Sequence, residues 1–175
     1  MGPSDAELCA RVVALDDRHA FAALVRRHQS AIRSVLRRLC GGDAALADDL
    51  SQETFVRAWK GLRTWSGGAR FSTWLHRIAV NAWISQARRA EPPVPDDPGH
   101  QEAASGPVEA RRDLERAFAH LRPEERLALA LAYAHDLTHE EAAEVAGWPV
   151  GTLKSHLLRG KEKLRQRLVP QEGAA

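Results

Sequence analysis

Apolar side chains recur at three- and four-residue intervals along nearly the whole chain, and the strict alternation of a half-buried strand survives nowhere. Ser4-x-x-Glu7 reads as a capping box that starts a first helix running to about Leu15. A long second helix carries Phe21, Leu24, Val25, His28, Ile32, Val35, Leu36 and Leu39 on one stripe, and Gly41-Gly42-Asp43 stops it. The third, roughly 45–62, turns Leu46, Leu50, Phe55, Ala58, Trp59 and Leu62 inward. Trp65-Ser66-Gly67-Gly68 then breaks the chain before a fourth helix over 71–89, with Phe71, Trp74, Leu75, Ile78, Ala79 and Ala82 facing the core. Four more are predicted at about 108–120, 123–135 (Pro123 at its first position), 138–146 and 150–168.

Between the two groups of helices the composition changes abruptly. Residues 91–107, EPPVPDDPGHQEAASGP, hold five prolines, no Lys or Arg and one large aliphatic side chain, Val94. Such a segment cannot build a core and reads as a flexible acidic linker, spanning about 20–25 Å on average and roughly 55–60 Å when stretched. The expected architecture is all-α: a helical domain over 1–90, the linker over 91–107, and a second helical domain over 108–170.

A formal charge of +2 over 175 residues does not by itself announce a nucleic-acid binder, but its distribution is uneven. Residues 1–91 are net +5, 92–110 net −4, 111–149 net −3 and 150–168 net +5. The last basic block coincides with the most specific spacing in the chain. Thr138-x-x-Glu141 is a capping box, and Ala143, Gly147 and Leu153 follow at intervals that suit a helix-turn-helix over 138–168. A small residue at 143 lets two helices cross closely, and Gly147 supplies the positive φ of a tight turn. With Leu153, Leu157, Leu164 and Leu168 turned inward, the outer face carries Thr152, Lys154, Ser155, His156 and Arg159, continued by Lys161, Lys163 and Arg165. The start of such a helix is what enters a major groove.

Residues 65–89 contain Trp65, Phe71, Trp74 and Trp83 with Arg70, Arg77, Arg88, Arg89 and His76, and no Asp or Glu. Aromatics interleaved with cations suit single-stranded DNA, although Phe71 and Trp74 also belong to the apolar stripe and read as core. Asn81 can hydrogen-bond a base edge or serve as a solvated or capping amide. Asp48, Asp49 and Glu53 form an acidic cluster without His or Cys at ligand spacing, so a protein-docking face is expected rather than a metal site. Gln52, Glu53, Val56 and Lys60 are expected on that face, away from Phe55 and Trp59. His135, Asp136 and His139 flank the capping Thr138 and read as solvated loop residues.

The remaining features exclude function classes. Cys9 and Cys40 show no metal or redox spacing and are expected as buried free thiols. An acidic N-terminus argues against a signal peptide, and the apolar run Leu127 to Ala134 is too short to span a bilayer, so a cytoplasmic protein without membrane insertion is expected.

Three segments, ADDLSQETFVRAWKGL (47–62), FSTWLHRIAVNAWISQARR (71–89) and LTHEEAAEVAGWPVGTLKSHLLRGKEKL (137–164), together resemble a bacterial RNA polymerase sigma factor of the extracytoplasmic-function (ECF) type. The resemblance implies no catalytic activity and no cofactor or metal. It implies docking of the Asp49 to Phe55 segment on the clamp helices of the polymerase largest subunit, with Asp49, Gln52, Glu53, Val56 and Lys60 as the contact set, and a second contact on the polymerase flap. The loop from about Leu62 to Arg70, including Trp65, Ser66 and Gly67, corresponds to the one that captures a flipped base of the promoter minus-ten element. Asn81 falls on the family's base-contacting asparagine, with Arg70, Arg77, Arg88 and Arg89 as cations for the same strand. Lys154, Ser155, Leu158 and Arg159 match positions that contact the minus-thirty-five duplex, beside Thr152 and His156. The linker resembles a segment that threads toward the RNA exit channel. A cognate anti-sigma factor and a stress, envelope, metal or redox regulon are the family's usual setting.

Ser85, His156 and Gly160-Lys161 depart from the common Asp, Arg and Ala-Arg of the family. A glycine inside the recognition helix should cost up to about 1 kcal/mol relative to alanine, which nothing in the sequence explains. Two other readings compete. The TLKSHL run also resembles the recognition helix of LuxR-type regulators, but those carry an α/β domain and no strand pattern exists here. A helical metal-dependent hydrolase would need inward ligands at matched spacing, which are not found.

Overall fold

The computed structural model describes residues 2–89 and 107–168; the predicted linker, apart from Pro107, lies outside the described residues. Eight α-helices follow in order: α1 Asp5–Leu15, α2 Arg18–Leu39, α3 Ala44–Gly61, α4 Phe71–Arg89, α5 Pro107–Ala119, α6 Pro123–Ala132, α7 His139–Ala146 and α8 Val150–Leu168. A single 3₁₀ turn, Leu62–Thr64, leads out of α3, and no strand occurs among the described residues.

Local chemistry sets most of the boundaries. The Ser4 hydroxyl accepts the Glu7 N–H at 3.3 Å while the Glu7 carboxylate accepts the Ser4 N–H at 2.6 Å, closing the capping box of α1. Asp17 and Asp43 cap α2 and α3, each accepting an N–H three residues on at 3.0 Å. Between α2 and α3 the chain turns through Gly41 (φ +62°) and Gly42 (φ +90°), a conformation that side-chain-bearing residues resist.

In the first domain α1–α4 surround Leu24, Ile32, Leu36, Leu39, Ala58, Leu62 and Leu75, all buried. In the second, α6 lies against α8, α7 and also α2. That two-sided packing explains the unbroken apolar run of α6: Ala128, Leu129, Ala130 and Leu131 are each fully buried because no flank meets water. No helix among the described residues is long and apolar enough to cross a membrane. Cys9 is buried and Cys40, at the C-cap of α2, is half-buried; both are free thiols, and burial pushes each up to about 12.

The two domains pack on one another, which the sequence pattern does not foretell. α7 lies along α4, and α5 and α6 lie against α2. Arg126 of α6 donates to the Leu39 carbonyl of α2 at 3.1 Å and to the Ala119 carbonyl of α5 at 2.7 Å, satisfying carbonyls at the ends of two helices from different domains. Gly41 sits so close to α5 that a Cβ placed on it would lie 2.8 Å from the Ala119 Cβ.

Candidate nucleic-acid interface

The helix-turn-helix is built from α7 and α8. Thr138 accepts the Glu141 N–H at 3.2 Å and its own N–H is accepted by the Glu141 carboxylate at 2.8 Å, so α7 starts where the capping box is read. Gly147, at φ +72°, ends it, and the Trp148 N–H returns to the Ala143 carbonyl at 2.9 Å. α8 begins one residue after Pro149, whose carbonyl accepts the Thr152 and Leu153 N–H groups at 3.0 and 3.1 Å. Leu153, Leu157 and Leu164 are buried, whereas Leu168, expected to face inward, is 42% exposed because it lies in the last turn of the helix.

Lys154, Ser155, Leu158 and Arg159 project into solvent, Leu158 with 72% of its surface exposed, and Thr152 is half-buried beside them. His156 is half-buried, its ring 4.9 Å from that of Trp148, and the Arg159 guanidinium lies 3.0 Å from His156 Nδ1. His156 therefore orients Arg159 and packs on the turn. Lys163, placed with the outer cations by the sequence, turns the other way: its ammonium donates to both carboxylate oxygens of Glu125 on α6, at 2.8 and 2.9 Å. Glu125 is otherwise buried, and this charged donor compensates its desolvation.

Gly160 now has a reason. A Cβ there would sit 2.6 Å from Leu129 Cδ1, 3.3 Å from Leu129 Cγ and 3.4 Å from the Glu125 Cβ, so any larger residue where α8 crosses α6 must displace the buried Leu129 side chain.

In the first domain, the Trp65 ring N–H donates to the Ala69 carbonyl at 3.1 Å, and its ring meets Phe71 edge-on at 5.9 Å. Trp65 thus braces the loop and is itself half-buried, while Ser66, Gly67 and Gly68 stand exposed at its tip, Gly67 at φ +76°. The loop borders a cavity of about 610 Å³ lined by Trp65, Gly67, Gly68, Ala69 and Arg70 with Asp5 and Arg27. Phe71 is buried and Trp74 half-buried, as core residues. Arg70, Arg77, Asn81 and Arg88 recur at seven-, four- and seven-residue spacing, which puts them on one side of α4, and all four are exposed, as is Arg89. Ser85, one turn beyond Asn81, donates its hydroxyl to the Asn81 carbonyl at 2.8 Å.

His76 does not belong to this cationic face. It is 1% exposed, its Nδ1 lies 2.8 Å from the Ser72 carbonyl one turn back, and burial lowers its pKa against the opposing pull of Asp136. Asp136 is likewise no solvated loop residue: it lies against His76, with 3.6 Å between Oδ1 and Nε2. His135 and His139 are exposed.

On α3, Asp49, Gln52, Val56 and Lys60 are exposed along one side, with Glu53 half-buried and paired to Arg57 at 2.5 Å. Val56 does not lie away from Phe55 and Trp59. The three line one apolar groove of about 610 Å³ with Phe21, Ala22 and Val25 of α2. Phe21 and Val25 stay half-buried because they form its far wall. Asp48 is held by Arg33 through two bonds of 2.6 Å, and that guanidinium keeps its carboxyl below the usual range.

The acidic partners of α4 escaped sequence reasoning. Arg70 reaches Glu141 at 3.3 Å, Thr73 donates to the same carboxylate at 3.1 Å, and Arg77 pairs with Glu144 at 2.7 Å. The available signal was the complementary charge of the acid-free 65–89 segment and the net-acidic 111–149 segment.

Comparison with known proteins agrees with this geometry. Residues 24–92 match the Sigma-70 region 2 family and residues 111–164 the Sigma-70 region 4 family. The chain is 34% identical to the ECF RNA polymerase sigma factor SigM of Mycobacterium tuberculosis, over 94% of this chain and 85% of that protein. It is 31% identical to the ECF RNA polymerase sigma-E factor of Escherichia coli K12, over 88% of this chain and 89% of that one. Its fold is similar to that of CnrH, solved in complex with the cytosolic domain of CnrY, with a TM-score of 0.70 and 26% identity over 93% and 95% of the two chains. The chain belongs to the ECF RNA polymerase sigma factors, which are initiation factors and not enzymes.

Proposed function

We propose that the two domains divide promoter recognition between them, and that the exposed row Arg70, Arg77, Asn81 and Arg88 carries the first half of it. The Trp65–Arg70 loop and its cavity receive a base flipped from the minus-ten strand. Asn81 reads an adjacent base edge, and Arg70, Arg77, Arg88 and Arg89 hold the backbone. Thr152, Lys154, Ser155, His156, Leu158 and Arg159 form the face that meets the minus-thirty-five duplex. The α3 side bearing Asp49, Gln52, Glu53, Val56 and Lys60, with its apolar groove, takes the clamp helices of core polymerase, and the second domain takes the flap. Its place of work is the cytoplasm, with core polymerase and promoter DNA. A cognate anti-sigma factor controls it, in keeping with the family resemblance.

Run-off transcription with purified core polymerase, with and without this chain, tests the division of labour. Asn81→Ala is expected to slow promoter opening about tenfold, the worth of one good hydrogen bond, while core binding measured by gel filtration stays intact. Asn81 is exposed and outside the core, so a parallel loss of both would signal misfolding and contradict the assignment.

A further inference from the structure

Ser72 lies in the first turn of α4, 3% exposed, and its hydroxyl oxygen is buried without a hydrogen-bond partner. Hydroxyls inside a helix commonly return to the carbonyl one turn back, as Thr54 does to Leu50 at 2.7 Å, Ser85 to Asn81 at 2.8 Å and Ser155 to Gly151 at 2.9 Å. Ser72 has no helical turn behind it, because the residue four back is Gly68 in the loop. It borders the cavity of about 610 Å³ beside that loop, and its one O–H donor is unused.

Asp5, the first residue of α1, borders the same cavity. Its carboxylate is fixed by Arg27 and by His28, whose Nε2 lies 2.8 Å from Oδ2, and Arg27 is itself tied to the Pro3 carbonyl at 2.9 Å. Each carboxylate oxygen thus has one partner. An ionised carboxylate has about four lone-pair sites, so each oxygen can accept a second bond. Trp65 and Phe71 supply aromatic walls, and Gly67 and Gly68 carry no side chain to narrow the rim. Arg27 and Arg70 outnumber Asp5 in the lining, so the carboxylate does not keep a nucleic-acid strand away.

A flat heterocycle entering between these walls meets a fixed acceptor and a free donor. We infer that Asp5 and Ser72 select the base that the cavity receives, in favour of one carrying an exocyclic amine. The Asp5 carboxylate accepts an amine N–H, and the Ser72 hydroxyl donates to the ring nitrogen or carbonyl beside it. This role rests on the reading of the cavity as the place of a flipped base. Cytosine and adenine present an amine; thymine has a carbonyl where cytosine has its amine, and turns a lone pair toward the carboxylate. A site built to hydrogen-bond its ligand rejects one that leaves its polar groups unpaired. The base is chosen from outside the loop, by α1 and the first turn of α4.

The test titrates holoenzyme, assembled from core polymerase and the full-length chain, with fluorescent single strands of minus-ten non-template sequence from a promoter it transcribes. An abasic site moved along the strand locates the captured base as the position where its loss weakens binding most. At that position cytosine is compared with uracil and adenine with hypoxanthine, pairs in which an amine is exchanged for a carbonyl. The wild-type chain is expected to favour the amine-bearing member of at least one pair about tenfold. Asp5→Asn, whose amide presents either a donor or an acceptor, brings that ratio close to one. Ser72→Ala weakens binding of the amine-bearing base about threefold and leaves the melting temperature unchanged or raised, because the hydroxyl it removes has no partner within the protein. The ratio is decisive, since misfolding weakens every strand alike. A wild-type ratio near one, a ratio that Asp5→Asn leaves in place, or an equal loss for all four bases overturns the selection by Asp5. A lower melting temperature for Ser72→Ala with unchanged binding overturns the part given to Ser72. A strand on which no abasic site weakens binding removes the flipped-base reading beneath both.

Discussion

Replacing Leu129 with alanine is expected to cost about 2–5 kcal/mol, the usual range for a large-to-small change in a well-packed core. Leu129 is fully buried in α6 and forms the surface on which α8 crosses at Gly160. Small domains hold only a few kcal/mol in reserve, so most of the second domain's stability goes with it, and duplex binding should fall with the fold. Gly160→Ala is expected to destabilise as well, by about 1–3 kcal/mol, although alanine is the better helix former by about 1 kcal/mol. The two changes should not add. With Leu129 shortened, the new methyl enters vacated space, and Gly160→Ala becomes neutral or stabilising in that background. Urea denaturation of the four proteins reads the coupling directly. Simple additivity would show that the crossing does not depend on the missing Cβ.

Lys154→Ala combined with Arg159→Ala is expected to weaken binding to a minus-thirty-five duplex by roughly 30-fold or more, from about 1–3 kcal/mol per good base contact. Both side chains project from the first half of α8 and neither is buried, so the loss should come without a loss of stability. If Arg159 meets a phosphate, Arg159→Ala also lowers the slope of log affinity against log salt by about 0.9. Fluorescence anisotropy over a salt series separates the two roles. Arg165→Ala is the control, because Arg165 lies further along the helix and is paired with Glu162 at 3.2 Å. Equal effects at 165 and 159 would mean that only bulk charge was removed. His156 enters through its neighbours: packed against Trp148 at a tilt and touching Arg159, it restricts the guanidinium, so His156→Ala should relax base preference more than it lowers affinity.

Much of this molecule was legible residue by residue. Ser4 with Glu7 and Thr138 with Glu141 marked helix starts, because a capping box is closed by groups three residues apart and needs no distant partner. Gly147 marked the turn of the helix-turn-helix for the same local reason, its positive φ. The exposed positions Lys154, Ser155 and Arg159 followed from period alone, once Leu153 and Leu157 were assigned to the core.

The misreadings share one cause. Lys163, His76 and Asp136 were each judged from their sequence neighbours alone, as Gly160 was when it went unexplained, and each is governed by another element. Lys163 has the spacing of an outer cation, yet Glu125 lies within 2.9 Å on α6 and draws it in. His76 sits among arginines in sequence but is covered by α7 and the turn before it. Val56 was separated from Phe55 and Trp59 by helical angle, but α2 completes a groove wide enough to include all three.

What the sequence determined by itself was therefore the set of helices, their caps, the recognition face of α8 and the charge blocks. These depend on dihedral preference and on periodic solvent exposure, which are properties of short segments. Only the tertiary structure decided that the two helical domains close on one another, that α6 is buried on every side over 127–131 because it serves both, and that the basic face of α4 meets Glu141 and Glu144. Those contacts join residues far apart in sequence, and their energies depend on distance and desolvation, which periodicity does not encode.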